Sequence, residues 1–361
     1  VWRAPVRRAL YRQGGKQMGR YIARRLLQAI PLLLIISIVL FLLVQNIGDP
    51  VAMMGGRNPT RSSDRERLRR ILGLDKPIYV QYIYWLIGND WTKVDIDGDG
   101  VPETPGERRG VVRGDFGTSI VKRGTPVMEL IWERIPNTLI LMIPAQIIIL
   151  IFGISIGIIA ALRQYSALDV VVTAFSFIGL SMPIFFIALA SIYVFAVLFK
   201  QWGLPYLPAN GMFDPKVGKT VSQVAWPLIL PAGSIAFLSI ASYNRYTRSS
   251  MLEVINQDYM RTAKAKGLKG RYVLVTHAFK NAALPIVTLL GIEIPFLLAG
   301  AVVTERIFAW PGMGRLFLDH LQRADGPVVM GIVVIVAVAV IVFQILADLT
   351  YAALDPRIRL E

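Results

Sequence analysis

Six apolar stretches, at 26–47, 137–162, 170–199, 226–243, 281–304 and 328–347, constrain this chain more than anything else in it. A helix rising 1.5 Å per residue needs roughly 20 residues to cross about 30 Å of hydrocarbon. Five of the stretches carry no charge, and the fifth in order carries one, Glu293. The chain is 54% hydrophobic and 17% charged, against about 25% charged in a soluble globule. Period-2 alternation is absent from these runs, which argues against a membrane barrel. Helices satisfy their own backbone polar groups, as lipid requires. The expected fold is all-α: a polytopic membrane protein of six transmembrane helices, with a small extracytoplasmic segment between the first two.

Charge sets the expected orientation. Six spans place both termini on one side. Residues 1–25 carry eight Lys/Arg and no acid, 244–280 carries eight Lys/Arg against Glu253 and Asp258, and the tail holds Arg357 and Arg359. These three segments share a side in the six-span reading, and the excess of Lys/Arg makes it cytoplasmic. The segment 48–136 then lies outside, with its charges nearly balanced. The resulting organisation is a basic extension (1–25), a first span (26–47), the outer segment (48–136) with an acidic loop (95–107), a core (137–354) with a cytoplasmic loop (244–280), and a tail (355–361). The first apolar run is longer than the 7–15-residue core of a secretory signal, so it reads as a retained signal-anchor. Residues before Met18 read as an extension, with Met18 a plausible start. The expected location is the plasma membrane.

The net charge of +15 suits anionic headgroups or an acidic cytoplasmic partner. The absence of Cys excludes a disulfide scaffold, a Cys-ligated zinc site and a thiol nucleophile. His277 and His320 are too few for a His-rich centre. No convincing Ser-His-Asp set or pair of catalytic carboxylates emerges from spacing. Gly218-Lys219-Thr220 supplies only the second half of a phosphate-binding loop, with Phe at 213. An enzyme is not expected.

The loop 244–280 is the most informative polar segment. Around Tyr259, Met260, Arg261, Thr262, Ala263, Ala265, Gly267 and Leu268 it reads as two short helical stretches separated by Gly267. A short helix ending at Gly is a good peg for a groove on another protein. A solvated basic loop is the other reading from periodicity alone.

In the outer segment, Asp95, Asp97 and Asp99 followed by Gly100 match the start of a calcium loop. Val101 would add its carbonyl and Glu103 a ninth-position ligand, while the closing acid, Glu107, stands one place late. A solvated acidic turn is the alternative. Glu293 is costly at mid-bilayer, at least ~2.5 kcal/mol, so it faces protein or water. It reads either as a pathway residue or as a carboxyl bonded to a neighbouring helix. Pro183, Pro285 and Pro295 sit within the apolar stretches, where proline bends helices.

The segment from Tyr259 to Gly267 resembles the ATPase-docking loop of ABC importer permeases, in the form carried by the dipeptide/oligopeptide class. Arg261, Thr262, Ala263 and Gly267 stand where the general signature has Glu-Ala-Ala and a following Gly. The leading Glu is missing, as is usual in the peptide subclass. Gly48-Asp49-Pro50, Leu72-Gly73-Leu74-Asp75-Lys76-Pro77 with Gln81-Tyr82, Gly114-Asp115-Phe116-Gly117-Thr118-Ser119, Pro126-Val127, Arg134-Ile135-Pro136-Asn137-Thr138, Ser181-Met182-Pro183, Phe308-Ala309-Trp310-Pro311-Gly312-Met313-Gly314-Arg315 and Asp355-Pro356-Arg357-Ile358-Arg359 follow that family's order. The resemblance implies the type I permease fold and one half of a heterodimeric pore. It implies a second permease, two ATPases carrying ATP-Mg, and an extracytoplasmic substrate-binding protein. Short peptides are the implied substrate, with nickel, glutathione or sugar as alternatives within the class. Ser181, Met182 and Glu293 are expected along the pathway. The rival from another class is an ion-coupled secondary transporter using Glu293.

Overall fold

A computed structural model describes residues 4–46, 62–71, 73–97 and 99–354, with the side chains at 4–18, 62–65, 68, 284, 292, 294–299 and 351–354 left undescribed. Gly48-Asp49-Pro50, Leu72 and the tail at 355–361 lie outside the described residues.

The described residues are mostly helical. In order come α1 (Ala4–Gln45), α2 (Ser62–Ile71), α3 (Ile78–Ile87), a hairpin of β1 (Lys93–Val94) and β2 (Thr104–Pro105), α4 (Val127–Leu162), α5 (Ala167–Ser181), α6 (Ile184–Gln201), α7 (Val221–Ile255), α8 (Asp258–Ala265), α9 (Gly270–Ala282), α10 (Leu284–Ala299), α11 (Val302–Ile307), α12 (Met313–Leu321) and α13 (Gly326–Leu354). Five helices are long and apolar enough to cross a membrane: α1, α4, α6, α7 and α13. A sixth span requires α9 and the start of α10 to act together across a bend of 48°.

Two apolar stretches differ from expectation. The stretch 170–199 is not one helix: it breaks at Met182-Pro183, between α5 and α6. Pro183 lacks an N–H and its ring disfavours helical conformation at Met182, whose ψ is 131°. The stretch 281–304 is also divided. Pro285 falls in the first turn of α10, where proline is tolerated, and Gly300 at φ +78° ends that helix. Hydropathy is blind to both breaks because the residues around them stay apolar.

The described residues form two compact units. The first is built around Asn137–Arg315, together with the beginning of α1 and the end of α13. Within it, α4 meets α7 at Gly153 and Gly157. A Cβ on Gly153 would lie 2.6 Å from Tyr243 Cβ, and one on Gly157 would lie 2.6 Å from Thr247 Cβ. Small residues four apart let helix backbones approach closely, which is how membrane helices gain packing without a hydrophobic drive. Asp169, buried near the start of α5, accepts two bonds from Arg248 of α7, at 2.7 and 2.8 Å. Tyr21 donates to Asp348, joining α1 to α13, and Arg25 donates to Tyr21.

The second unit holds 26–136 and 316–338. Its core stacks Phe41 on Tyr82 and Trp85, with Met330 beside them. Gln45 donates to Gln81, which donates in turn to the carbonyl of Lys76. The Gln81-Tyr82 pair therefore ties α3 to α1, where Tyr82 OH also meets Ser37 Oγ at 2.8 Å. Asp325 is fully buried. It accepts bonds from Ser119 Oγ and from the amides of Ile120 and Val121, and it lies 2.8 Å from His320 Nδ1. Ser, His and Asp thus do meet, although spacing did not reveal it. The Asp stands in the middle and accepts the Ser hydroxyl, so His320 is not placed against the Ser as in a catalytic triad. The cluster staples a loop to the approach of α13.

Candidate functional site

The polar loop between α7 and α9 folds as the isolated helix α8. Asp258 sits in its first turn and Lys264 in its last, each opposite in sign to the nearby helix pole. Gly267 adopts φ +74° and donates to Lys264 O at 3.0 Å, closing the helix with a turn that a Cβ would strain. Thr262 Oγ1 donates back to Asp258 O.

Only two α8 side chains face inward. Met260 and Ala263 are buried, at 2% and 7% exposed, against Ala161 of α4, Met251 of α7, and Val273, Ala278 and Ala282 of α9. Their spacing of three places both on one helix face. Tyr259, Arg261, Thr262, Lys264, Ala265, Gly267 and Leu268 are exposed. The Arg261–Asp258 pair, 3.8 Å apart and open to water, contributes little. Asn281 Nδ2 donates to Tyr259 OH at 3.3 Å, a further tie from α9. The result is a short, seated helix with an outward face that is basic at one end and uncharged at Thr262, Ala265 and Leu268.

The expected pathway residues are not joined to one another. Glu293 of α10 accepts a bond from Tyr243 OH of α7 at 2.6 Å, and Gln146 of α4 donates to that same hydroxyl. Ser181 is exposed and spends its hydroxyl on Phe177 O one turn earlier. Met182 lies at the α5–α6 break. No hydrogen bond links Glu293 to Ser181 or Met182 among the described residues.

In the acidic loop, Asp95, Asp97 and Asp99 each bring one carboxylate oxygen within 4.8 Å of the others. Asp95 also accepts from the amide of Gly100, and Asp99 from that of Val101. Glu103 and Glu107 are outside this group. The loop is carried by the β1–β2 hairpin rather than by two helices, and Gly98 lies outside the described residues.

The sequence reading missed Glu305. It is fully buried at the start of α11, accepting from Thr138 Oγ1 at 3.1 Å and from Arg315 N at 2.9 Å. Gly300 and Gly312 crowd it: a Cβ on either would come within 2.6 Å of its carboxylate. Thr138 Oγ1 accepts from Met313 N, Trp310 Nε1 donates to Asn137 O, and Asn137 Nδ2 donates to Pro311 O. Two separate sequence motifs, 134–138 and 308–315, therefore close on one buried acid. The glycines flanking Glu305 were the available signal.

Comparison with known proteins places these features in a class. Residues 153–360 match the binding-protein-dependent transport system inner membrane component family, and residues 18–142 match the N-terminal region of such membrane components. The chain is 43% identical to the oligopeptide transport system permease protein AppB of Bacillus subtilis, over 94% of this chain and 99% of that one. It is 37% identical to the dipeptide transport system permease protein DppB of Escherichia coli, over 95% and 99%. It is 34% identical to the glutathione transport system permease protein GsiC of Salmonella choleraesuis, again over 95% and 99%. The chain belongs to the family of binding-protein-dependent inner membrane transport components. It is a multi-pass permease subunit of an ABC importer, and ATP hydrolysis in such systems lies in separate subunits.

Proposed function

We propose that this subunit forms one half of a pore that imports short peptides, paired with a second permease, and that α8 is the element an ATPase subunit engages. The observation that carries the docking assignment is the seating of α8. Met260 and Ala263 fix it to three helices while its other face stays open. A soluble extracytoplasmic protein would deliver peptide, and two ATPases on the side of α8 would bind ATP-Mg. Both termini then share that cytoplasmic side. The peptide assignment is supported by the names of relatives covering nearly the whole chain. Uptake into proteoliposomes holding this chain, its partner permease, the ATPases and the binding protein tests it. Labelled di- and oligopeptides should enter with ATP hydrolysis and outcompete glutathione, nickel and sugars. Uptake driven by a proton or sodium gradient without nucleotide would overturn the reading.

The acidic hairpin loop supports a second, structural assignment. Three carboxylates within 4.8 Å repel one another, and a calcium ion would relieve that repulsion with Val101, Glu103 and Glu107 as further ligands after local adjustment. Extracellular loops of this type bind at ~10⁻⁴–10⁻³ M, so the titration reaches millimolar calcium. A rise in thermal stability that is lost in Asp97→Ala/Asp99→Ala is expected. Equal melting of both proteins would remove the metal from the account.

A further inference from the structure

A cavity of about 480 Å³ opens within the second unit, a size ordinary for a small-molecule site. Its walls are chiefly apolar, with Phe41 and Val44 of α1, Trp85 of α3, Phe116, and Met330 of α13 among them. Phe41 and Val44 lie near the end of a helix long and apolar enough to cross a membrane.

The polar groups in the wall are unequally satisfied. Gln45 and Gln81 bond to each other, and Gln81 also reaches backbone carbonyls. Asp115 is engaged through both oxygens, accepting from Gly117 N and Arg109 N. Two further groups are donors. Trp85, 7% exposed, has a buried indole N–H with no partner among the described residues. Arg108 lines the cavity, and its guanidinium makes no hydrogen bond or ion pair among the described residues. Arg108 is partly buried by exposed area, yet desolvation holds its pKa below the usual arginine value, opposed only by the charge of Asp115. Glu107 also borders the cavity but is exposed. A buried donor without a partner is costly, and an unpaired charge costs more. A ligand that meets Arg108 in this cavity brings an anion attached to an apolar body.

We propose that the cavity binds a small organic carboxylate, its carboxylate on Arg108 and its apolar body against Phe41, Phe116 and Met330. Two sources share this chemistry: a fatty acid from the membrane and the C-terminus of a short apolar peptide. The site is independent of the transport reading, since no residue of α8 or of the Glu293 contact takes part.

The test uses the full chain in nanodiscs of zwitterionic phosphatidylcholine, with radiolabelled decanoate, decanamide, leucyl-leucine and leucyl-leucinamide as probes. At least one of the two acids should bind saturably, and its amide at least tenfold more weakly. Arg108→Gln should weaken the acid at least tenfold, Arg108→Lys should restore part of the loss, and Val44→Trp should obstruct the cavity and lower binding. Decanoate binding alone identifies the membrane source, and leucyl-leucine binding alone the peptide source. Equal affinity for acid and amide on the unmodified chain overturns the proposal whether or not the variants fold. Failure of both acids to bind saturably overturns it as well.

Discussion

Tyr243 donates its hydroxyl proton to Glu293, 2.6 Å away and 50 residues further along the chain. The carboxyl on α10 is thereby held against α7, in keeping with the cost of leaving an ionisable group unpartnered in hydrocarbon. Glu293→Gln keeps the volume and a hydrogen-bonding group but removes any negative charge. If the carboxyl meets substrate, uptake of cationic peptides should fall several-fold more than uptake of neutral ones, with assembly unchanged. Equal kinetics across peptide charge would leave Glu293 as a purely structural contact.

Substitutions on the two faces of α8 should separate seating from engagement. Ala265→Arg adds bulk on the exposed face, so the subunit should fold and insert normally while peptide-stimulated ATP hydrolysis falls. Met260→Ala empties a buried position, at a cost of about 2–5 kcal/mol, and should loosen the helix itself. Comparing ATPase coupling with proteolysis of the 244–280 loop in the two variants checks this. Wild-type coupling in Ala265→Arg would place the engaged surface elsewhere.

The contact of α4 with α7 should tolerate no side chain at Gly157. A Cβ there would lie 2.8 Å from the Asn244 carbonyl oxygen as well as against Thr247. Backbone cannot rotate away as a side chain can. Gly157→Val should destabilise by about 1–3 kcal/mol, read as a lower melting temperature, whereas at Gly233 an added Cβ meets nothing within 4 Å and Gly233→Val should cost less.

The Asp325 staple predicts an acid-sensitive loop. Burial by itself would raise this pKa, but bonds from His320, Ser119, Ile120 and Val121 outweigh it and hold the carboxyl below its usual range. A depressed carboxylate contributes fully above its unfolded pKa of about 3.9 and loses that contribution as pH falls through the lower folded value. Between pH ~5 and ~2 the unmodified chain should therefore lose melting temperature more steeply than Asp325→Asn. Parallel profiles would show that the carboxylate is not the responsible group.

How far the sequence revealed these features follows from the range of the interactions. Apolar spans are local in sequence, so length and hydropathy located them. Their breaks at Pro183 and Gly300 were hidden inside uninterrupted apolarity. The short helix α8 was legible because its terminator, Gly267, and its two inward residues lie within eight positions. The Ser119–Asp325 and Thr138–Glu305 contacts span 206 and 167 residues. No periodicity couples positions so far apart, and each acid alone looks like an ordinary charge near a span edge. The calcium pattern was legible as composition, but only three of its carboxylates converge.

The seat beneath α8 has a mechanical consequence. Ala161 closes α4, Met251 lies in the last two turns of α7, and Val273, Ala278 and Ala282 run along α9. A displacement of α8 is thus divided among three levers at once, two of them attached near their ends and the third along its length. Weakening any one attachment should dull the stroke without severing it. Met251 and Met260, the pliable side chains of the joint, allow it to give without coming apart.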